Sequence, residues 1–172
     1  VHYAQLARWL LVYHAGMAEK SSQRTSRLLG IRDACMAQNL ACILSCEQGR
    51  GRVLAYSHNS HLKKGRMQWQ FGDELFTWWP AGSHLKEILG ERYAVIGSAV
   101  GVSDENGIVR PEAGSLEALL TATLGPGRFV STQWVQELYA SQAALPVRSG
   151  SLKNPTYFPL TAQSLTDFDW LV

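Results

Sequence analysis

The sequence predicts an α/β domain with a mainly parallel sheet flanked by helices. Segments whose apolar residues recur at helical intervals alternate with short apolar or β-branched runs that are typical of buried strands. Strands that alternate with helices favour crossover connections within one sheet. The 172 residues can form a single domain with a hydrophobic core, and the sequence has no initiator methionine. We therefore expect residues 1–172 to be an incomplete part of a larger α/β domain.

The first half of the chain predicts two long helices and one strand. Apolar side chains recur at helical intervals in residues 2–19 and 26–46, with Ser26 as a candidate N-cap. Residues 52–57 form an apolar run after two glycines, which is typical of a buried strand. The aromatic-rich stretch 62–80 is predicted to be irregular, and its length exceeds that of most loops, which favours either a functional or a partly disordered segment.

The second half predicts shorter elements separated by turns. In chain order these are a helix at 83–89 closed by Gly90, a strand at 93–100, a turn at 104–107, a helix at 114–123, a break at 125–127, a strand at 128–131, a helix at 133–144 and a last strand at 168–172.

Composition excludes two classes of partner. The 16 basic and 14 acidic residues leave a net charge of +2 without a basic stripe, so we expect no nucleic-acid binding. No apolar run approaches the roughly 20 residues that span a bilayer, so we expect no membrane partner. Cys35, Cys42 and Cys46 share one stripe of the second helix, and we expect buried free thiols in a reducing, cytoplasmic compartment.

Two histidines are the first candidates for chemistry. His58 and His61 follow the predicted strand at 52–57, and α/β folds bind ligands at the carboxyl ends of strands. A pair of imidazoles can transfer protons near neutral pH, bind a metal ion, or simply bond to the backbone of a loop. Spacing alone leaves all three interpretations open. No carboxylate lies close enough in sequence to orient either ring.

Arg32 is the next candidate. With Asp33 it is predicted to open the second helix, either as an exposed charge pair or as a guanidinium aimed at a carboxylate or developing oxyanion. Met36 and Asn39 share its helical face and could line the same cleft.

Two further positions come from the aromatic-rich part of the chain. For His84 a polar contact is favoured over chemistry. The aromatic residues of 62–80, Trp69 among them, either clamp a large apolar ligand or pack beneath the stretch. The sequence contains no G-x-S-x-G, P-loop, G-x-G-x-x-G or H-E-x-x-H motif.

Three segments, in this order, resemble the erythromycin esterase family. Arg32–Asn39 resembles its R-D-x-x-M-A-x-N helix, Val53–His61 resembles its strand ending in H-N-x-H, and Ala81–Tyr93 resembles its G-x-x-L-x-x-x-x-G-x-x-Y segment. The end of the chain, Phe168–Val172, is similar to the closing strand of the family. The resemblance begins near residue 24 and corresponds to the C-terminal portion of the family domain.

The resemblance implies a hydrolase that opens a macrolide lactone, or another carboxylic ester, with activated water, and a role in antibiotic resistance. It implies catalytic positions for His58, His61 and Arg32. The candidate substrate contacts are Asn39, Asn59, Met36 and Trp69. No cofactor is implied, although metal-dependent members of the wider superfamily keep a divalent metal at His58 and His61 as an alternative.

In the family, a histidine in a G-E-x-x-H segment is thought to activate water, and this segment does not occur in the 172 residues. We therefore expect the isolated chain not to hydrolyse esters at an enzymatic rate. The alternatives are a non-catalytic ligand-binding or dimerising module and a metal-dependent hydrolase. The expected partner is a small-molecule ester, together with either a second copy of the chain or a missing N-terminal half.

Overall fold

The computed structural model describes residues 2–124, 127–140 and 145–172. The chain divides into two compact units, Val1–Tyr93 and Ala94–Val172. In the described ranges, no helix has both the length and the apolar character needed to cross a bilayer.

The first unit consists of helices and one β-hairpin. Its elements are α1 (His2–Met17), α2 (Arg24–Cys46), α3 (Asn59–Leu62), β1 (Met67–Phe71), β2 (Glu74–Trp78), α4 (Ala81–Leu89) and a 3₁₀ turn (Gly90–Arg92). The predicted helices at 2–19, 26–46 and 83–89 are confirmed. Gly90 ends α4 with φ 56°, a left-handed conformation that glycine adopts without steric cost.

The core of this unit lies between α2 and α4. Ala37 on α2 packs against Ala81 and Leu85 on α4, and all three are buried. Small side chains at this contact allow the two helices to approach closely. The second helix therefore fixes the position of α4, which in turn supports the segment that carries the histidines.

Residues 67–78 form an antiparallel hairpin rather than the irregular stretch that we expected. β1 pairs with β2 so that Trp69 lies opposite Phe76. Gly72 has φ 58° in the two-residue turn, and a type II′ turn needs a positive φ at its first central position. Two aromatic-rich runs on either side of Gly72-Asp73 are a pattern typical of a β-hairpin, which we did not predict from the sequence.

The predicted strand at 52–57 is wrong. These residues form no regular structure, and no described strand pairs with them. Leu54 is 94% exposed and Tyr56 is 99% exposed. An apolar run becomes a buried strand only when neighbouring strands cover it, and none of the described strands does so. His58 and His61 consequently do not follow the end of a strand.

The second unit is built around a three-stranded sheet with order β3-β5-β4. Its elements are β3 (Ile96–Gly97), α5 (Leu116–Leu124), β4 (Val130–Ser131), α6 (Thr132–Tyr139), α7 (Ser164–Asp167) and β5 (Trp170–Leu171). The predicted strands at 93–100, 128–131 and 168–172 are thus found as two-residue strands. Residues 125–126 of the predicted break and 141–144 of the predicted helix lie outside the described residues.

The predicted mixed α/β class is confirmed, but the described sheets of the protein are small. β3 runs parallel to β5, whereas β4 runs antiparallel to β5 and the hairpin is antiparallel. Among the described strands, then, one pair of three is parallel, and the predicted mainly parallel sheet is not found. The parallel pair comprises only two residues in each strand, too few to dominate the fold.

Two predictions about the second helix need correction. The helix begins at Arg24, so Ser26 is not the N-cap of α2. The Ser26 hydroxyl instead accepts a hydrogen bond from the backbone N–H of Thr77, at 3.1 Å. The cysteines are free, but they are not buried as expected: Cys35 and Cys42 are partly exposed and Cys46 is exposed. Their stripe lies outside the contact with α4, which buries Ala37 instead.

Candidate functional site

Arg32, Asp33 and His61 meet at one point of the first unit. His61 Nδ1 lies 2.6 Å from Asp33 Oδ1, and His61 Nε2 lies 2.6 Å from Arg32 Nη2. Because a carboxylate only accepts and a guanidinium only donates, the arrangement selects one tautomer: Nδ1–H donates to Asp33, and the Nε2 lone pair accepts from Arg32. The imidazole is therefore oriented at both nitrogens.

Asp33 is the fully buried member of this group. Its side chain has no solvent exposure, and that of His61 is 15% exposed, while Arg32 is exposed. The second carboxylate oxygen, Oδ2, accepts a hydrogen bond of 2.5 Å from the indole Nε1–H of buried Trp78. With one partner on each oxygen the carboxylate cannot rotate without losing a bond, and this keeps Oδ1 directed at His61.

The end of α3, the helix that carries His61, is held against α4 and Tyr93 by contacts to its backbone carbonyls. A Cβ on Gly82 would lie 2.0 Å from the carbonyl oxygen of Leu62, so only glycine allows this approach. The Ser83 hydroxyl donates to the Lys64 carbonyl at 2.6 Å, and the Tyr93 hydroxyl donates to the Leu62 carbonyl at 2.5 Å. The segment Ala81–Tyr93 thus positions His61 through its contacts with the residues that follow it, Leu62 and Lys64.

His58 occupies the N-cap of α3. Its Nδ1 accepts the backbone N–H of Ser60 at 3.1 Å and lies 2.8 Å from the Ser60 hydroxyl. Partial loss of hydration lowers the pKa of His58 below 6.5, and the nearby imidazole of His61 lowers it further. Both effects favour the neutral ring, which is the form that can accept from Ser60.

The candidate substrate contacts lie in different surroundings. Met36 packs against the core between α2 and α4, and Asn39 is partly exposed seven residues beyond Arg32 on α2. Asn59 is the first residue of α3, and its carbonyl accepts the backbone N–H of Lys63. Trp69 packs within the hairpin, with its ring centroid 5.2 Å from Phe71 and 6.0 Å from Phe76.

Where the structure describes the chain, no three histidine, cysteine, aspartate or glutamate side chains converge as a metal site. Both nitrogens of His61 already face Asp33 and Arg32. A metal ion at His58 and His61 would have to displace at least one of these partners.

Sequence reasoning missed Asp33 and Trp78 as members of the site. We expected no carboxylate to orient either histidine, and this was wrong, because Asp33 contacts His61 from 28 positions away. Arg32 and Asp33 do not open a helix; they lie in the middle of α2, where adjacent residues point about 100° apart. That angle lets Arg32 face solvent while Asp33 faces the core.

Comparison with known proteins gives one match. A protein-family model described as erythromycin esterase matches residues 1–171. No curated protein and no solved structure matches the chain.

Proposed function

The chain belongs to the erythromycin esterase family, and on this premise we propose that it supplies Asp33, His61 and Arg32 to a site that hydrolyses a carboxylic ester. The contact of His61 with a buried carboxylate on one side and an exposed guanidinium on the other is the observation that supports this proposal. We further propose that residues 1–172 are the C-terminal portion of the family domain.

His61 acts as the general base. Asp33 holds the proton on Nδ1, which leaves the Nε2 lone pair to take a proton from water as its oxygen attacks the ester carbonyl carbon. The carbon–oxygen bond to the alcohol then breaks, and Nε2–H returns the proton to the leaving alkoxide. The products are a carboxylic acid and an alcohol.

Arg32 stabilises the negative oxygen that forms during the attack. Its guanidinium is exposed and is held by a single described side-chain contact, that with His61. A substrate carbonyl entering beside His61 can take over this guanidinium, which frees Nε2 for water. The positive charge then lies where the tetrahedral intermediate carries its negative charge.

The remaining candidates assist this site. The lowered pKa keeps His58 neutral, so it orders the turn that carries His61 and adds no positive charge beside Arg32. Asn39, Asn59, Met36 and Trp69 are proposed contacts for the body of the substrate, a macrolide lactone or another ester. A second base from a G-E-x-x-H segment, as the family resemblance implies, would share the activation of water.

The test is ester hydrolysis by the complete gene product, with 4-nitrophenyl acetate and erythromycin as substrates. His61→Ala and Asp33→Asn should each lower kcat/KM by about 100-fold or more, since general acid–base groups contribute at least this much. Arg32→Lys keeps the charge but loses the planar donor, and it should lower kcat more than it raises KM.

His14→Ala is the matched control, because it makes the same change at an exposed histidine of α1. The control should retain wild-type activity. If His61→Ala keeps the wild-type kcat/KM while the protein remains folded, His61 is not the base and the proposal fails.

A further inference from the structure

A large cleft lies on the other side of α2 from Arg32. It is bounded by α1, the N-terminal half of α2 and β2, all within the first unit, and it has a volume of about 750 Å³. Pockets that hold small organic molecules have volumes of roughly 300–1,000 Å³. Arg32, Asp33 and His61 do not line it, so it is distinct from the proposed ester site.

One wall of the cleft is aromatic. Trp9, Trp78 and Trp79 line it together with Ile31 and Leu75. Trp79 is 55% exposed and Leu75 is 57% exposed, so the apolar surface of these two residues faces water. A flat apolar molecule would remove that surface from water and stack on the indole rings.

Arginine side chains give the same cleft a positive charge. Arg24, Arg27 and Arg66 line the cleft, and among its described lining residues Glu19 is the one acidic group. Glu19 pairs with Arg27, which leaves two guanidinium groups without a carboxylate partner in the described parts of the chain.

These two arginines are positioned differently. Arg66 donates to the Thr77 hydroxyl at 2.8 Å, and its guanidinium carbon lies 6.0 Å from the centre of the Trp79 ring. Arg24 reaches the carbonyl of Met17 at 3.5 Å, a long and weak contact. Both keep donors available for an anion, and Arg66 brings its positive charge next to the aromatic wall.

We propose that this cleft binds a small organic anion, with a flat apolar body against the tryptophans and one carboxylate, sulfonate or phosphate group against Arg24 and Arg66. A cationic ligand would meet uncompensated positive charge. A neutral ligand would cover the arginines without replacing their hydration, so an anion with an apolar body is the ligand that suits both the tryptophans and the arginines.

The test compares two probes that differ mainly in charge, naphthalene-2-sulfonate and the neutral naphthalene-2-sulfonamide, by isothermal titration calorimetry on purified residues 1–172. The sulfonate should bind about tenfold more tightly than the sulfonamide, as expected for a charge-assisted contact with arginine. Its affinity should fall as salt is raised. Arg24→Gln and Arg66→Gln should each reduce the difference in affinity between the two probes, whereas Trp79→Leu should weaken the binding of both probes.

Arg50→Gln is the matched control, since Arg50 is 72% exposed and follows the far end of α2. It should leave both affinities unchanged. The proposal would be overturned if the two probes bound with equal affinity or if neither showed saturable binding. It would also be overturned if Arg50→Gln changed the affinities as much as Arg66→Gln does. The measurement needs no ester turnover, so it can fail while the proposed hydrolytic function holds.

Discussion

At the scale of single residues, Asp33 connects the proposed base to the interior of the protein. Its two oxygens are shared between His61 and Trp78, which lie 28 and 45 positions away in sequence. A pattern search over neighbouring positions cannot find such partners, because only tertiary packing brings them together. The motif helix Arg32–Asn39 was recognisable from the sequence, yet the role of its aspartate was not.

Trp78→Phe should remove the donor to Asp33 Oδ2 and leave a buried carboxylate oxygen unsatisfied. We expect a loss of unfolding free energy of about 1–3 kcal/mol, measured by urea denaturation. The low-field NMR signal of the His61 Nδ1 proton should also shift, because Asp33 loses one of its two constraints. Trp79→Phe, at a half-exposed neighbour, should leave that signal in place; equal shifts in both variants would contradict the positioning role of Trp78.

The lowered pKa of His58 makes stability depend on pH. The folded value lies below the ordinary 6.5, so the unfolded chain binds more protons once the pH falls below that value. This contribution to stability is complete above pH 6.5 and is lost as the pH falls toward the folded pKa. Thermal unfolding from about pH 7 to about pH 5 should show a decreasing midpoint. His58→Asn keeps an N-cap acceptor without titrating, and its profile should be flatter; parallel profiles would rule out His58 as the source.

At the scale of elements, the long helices were predictable, whereas the strands of the first unit were not. The apolar spacing of residues 2–19 and 26–46 encodes a helix locally, and the structure contains both. The pairing of a strand is decided by its neighbours, and this is why 52–57 was predicted wrongly and the hairpin around Gly72 was missed. The site also depends on tertiary contacts, since α3 is capped by His58 and its Leu62 carbonyl lies against Gly82 of α4 and accepts from the Tyr93 hydroxyl.

Leu54→Ala tests whether segment 52–57 is exposed in solution. With 94% of the residue accessible, truncation should change the unfolding free energy by less than about 0.5 kcal/mol. Leu85→Ala, at a residue that is 3% exposed in the α2–α4 core, should cost about 2–5 kcal/mol. A loss at Leu54 that matches the loss at Leu85, in the same denaturation series, would mean that the segment is covered after all.

At the scale of the whole molecule, family membership extends over residues 1–171, and the chain divides into two compact units. The proposed ester site and the arginine-tryptophan cleft both lie in Val1–Tyr93. Trp78 takes part in both, because it lines the cleft and bonds to Asp33. A ligand in the cleft would therefore touch the residue that holds the carboxylate of the proposed base.

Residues 1–172 alone should not catalyse ester hydrolysis at an enzymatic rate. Asp33 orients His61, so the chain holds an imidazole with a fixed tautomer, but no G-E-x-x-H segment that could supply a second base occurs in these residues. Catalytic groups that act as a unit lose nearly all of their effect when one is removed. We therefore expect hydrolysis of erythromycin and 4-nitrophenyl acetate near the background rate, with little difference between the wild-type chain and His61→Ala. Rapid turnover that His61→Ala abolishes would instead mean that Asp33, His61 and Arg32 are sufficient, and that water needs no second base.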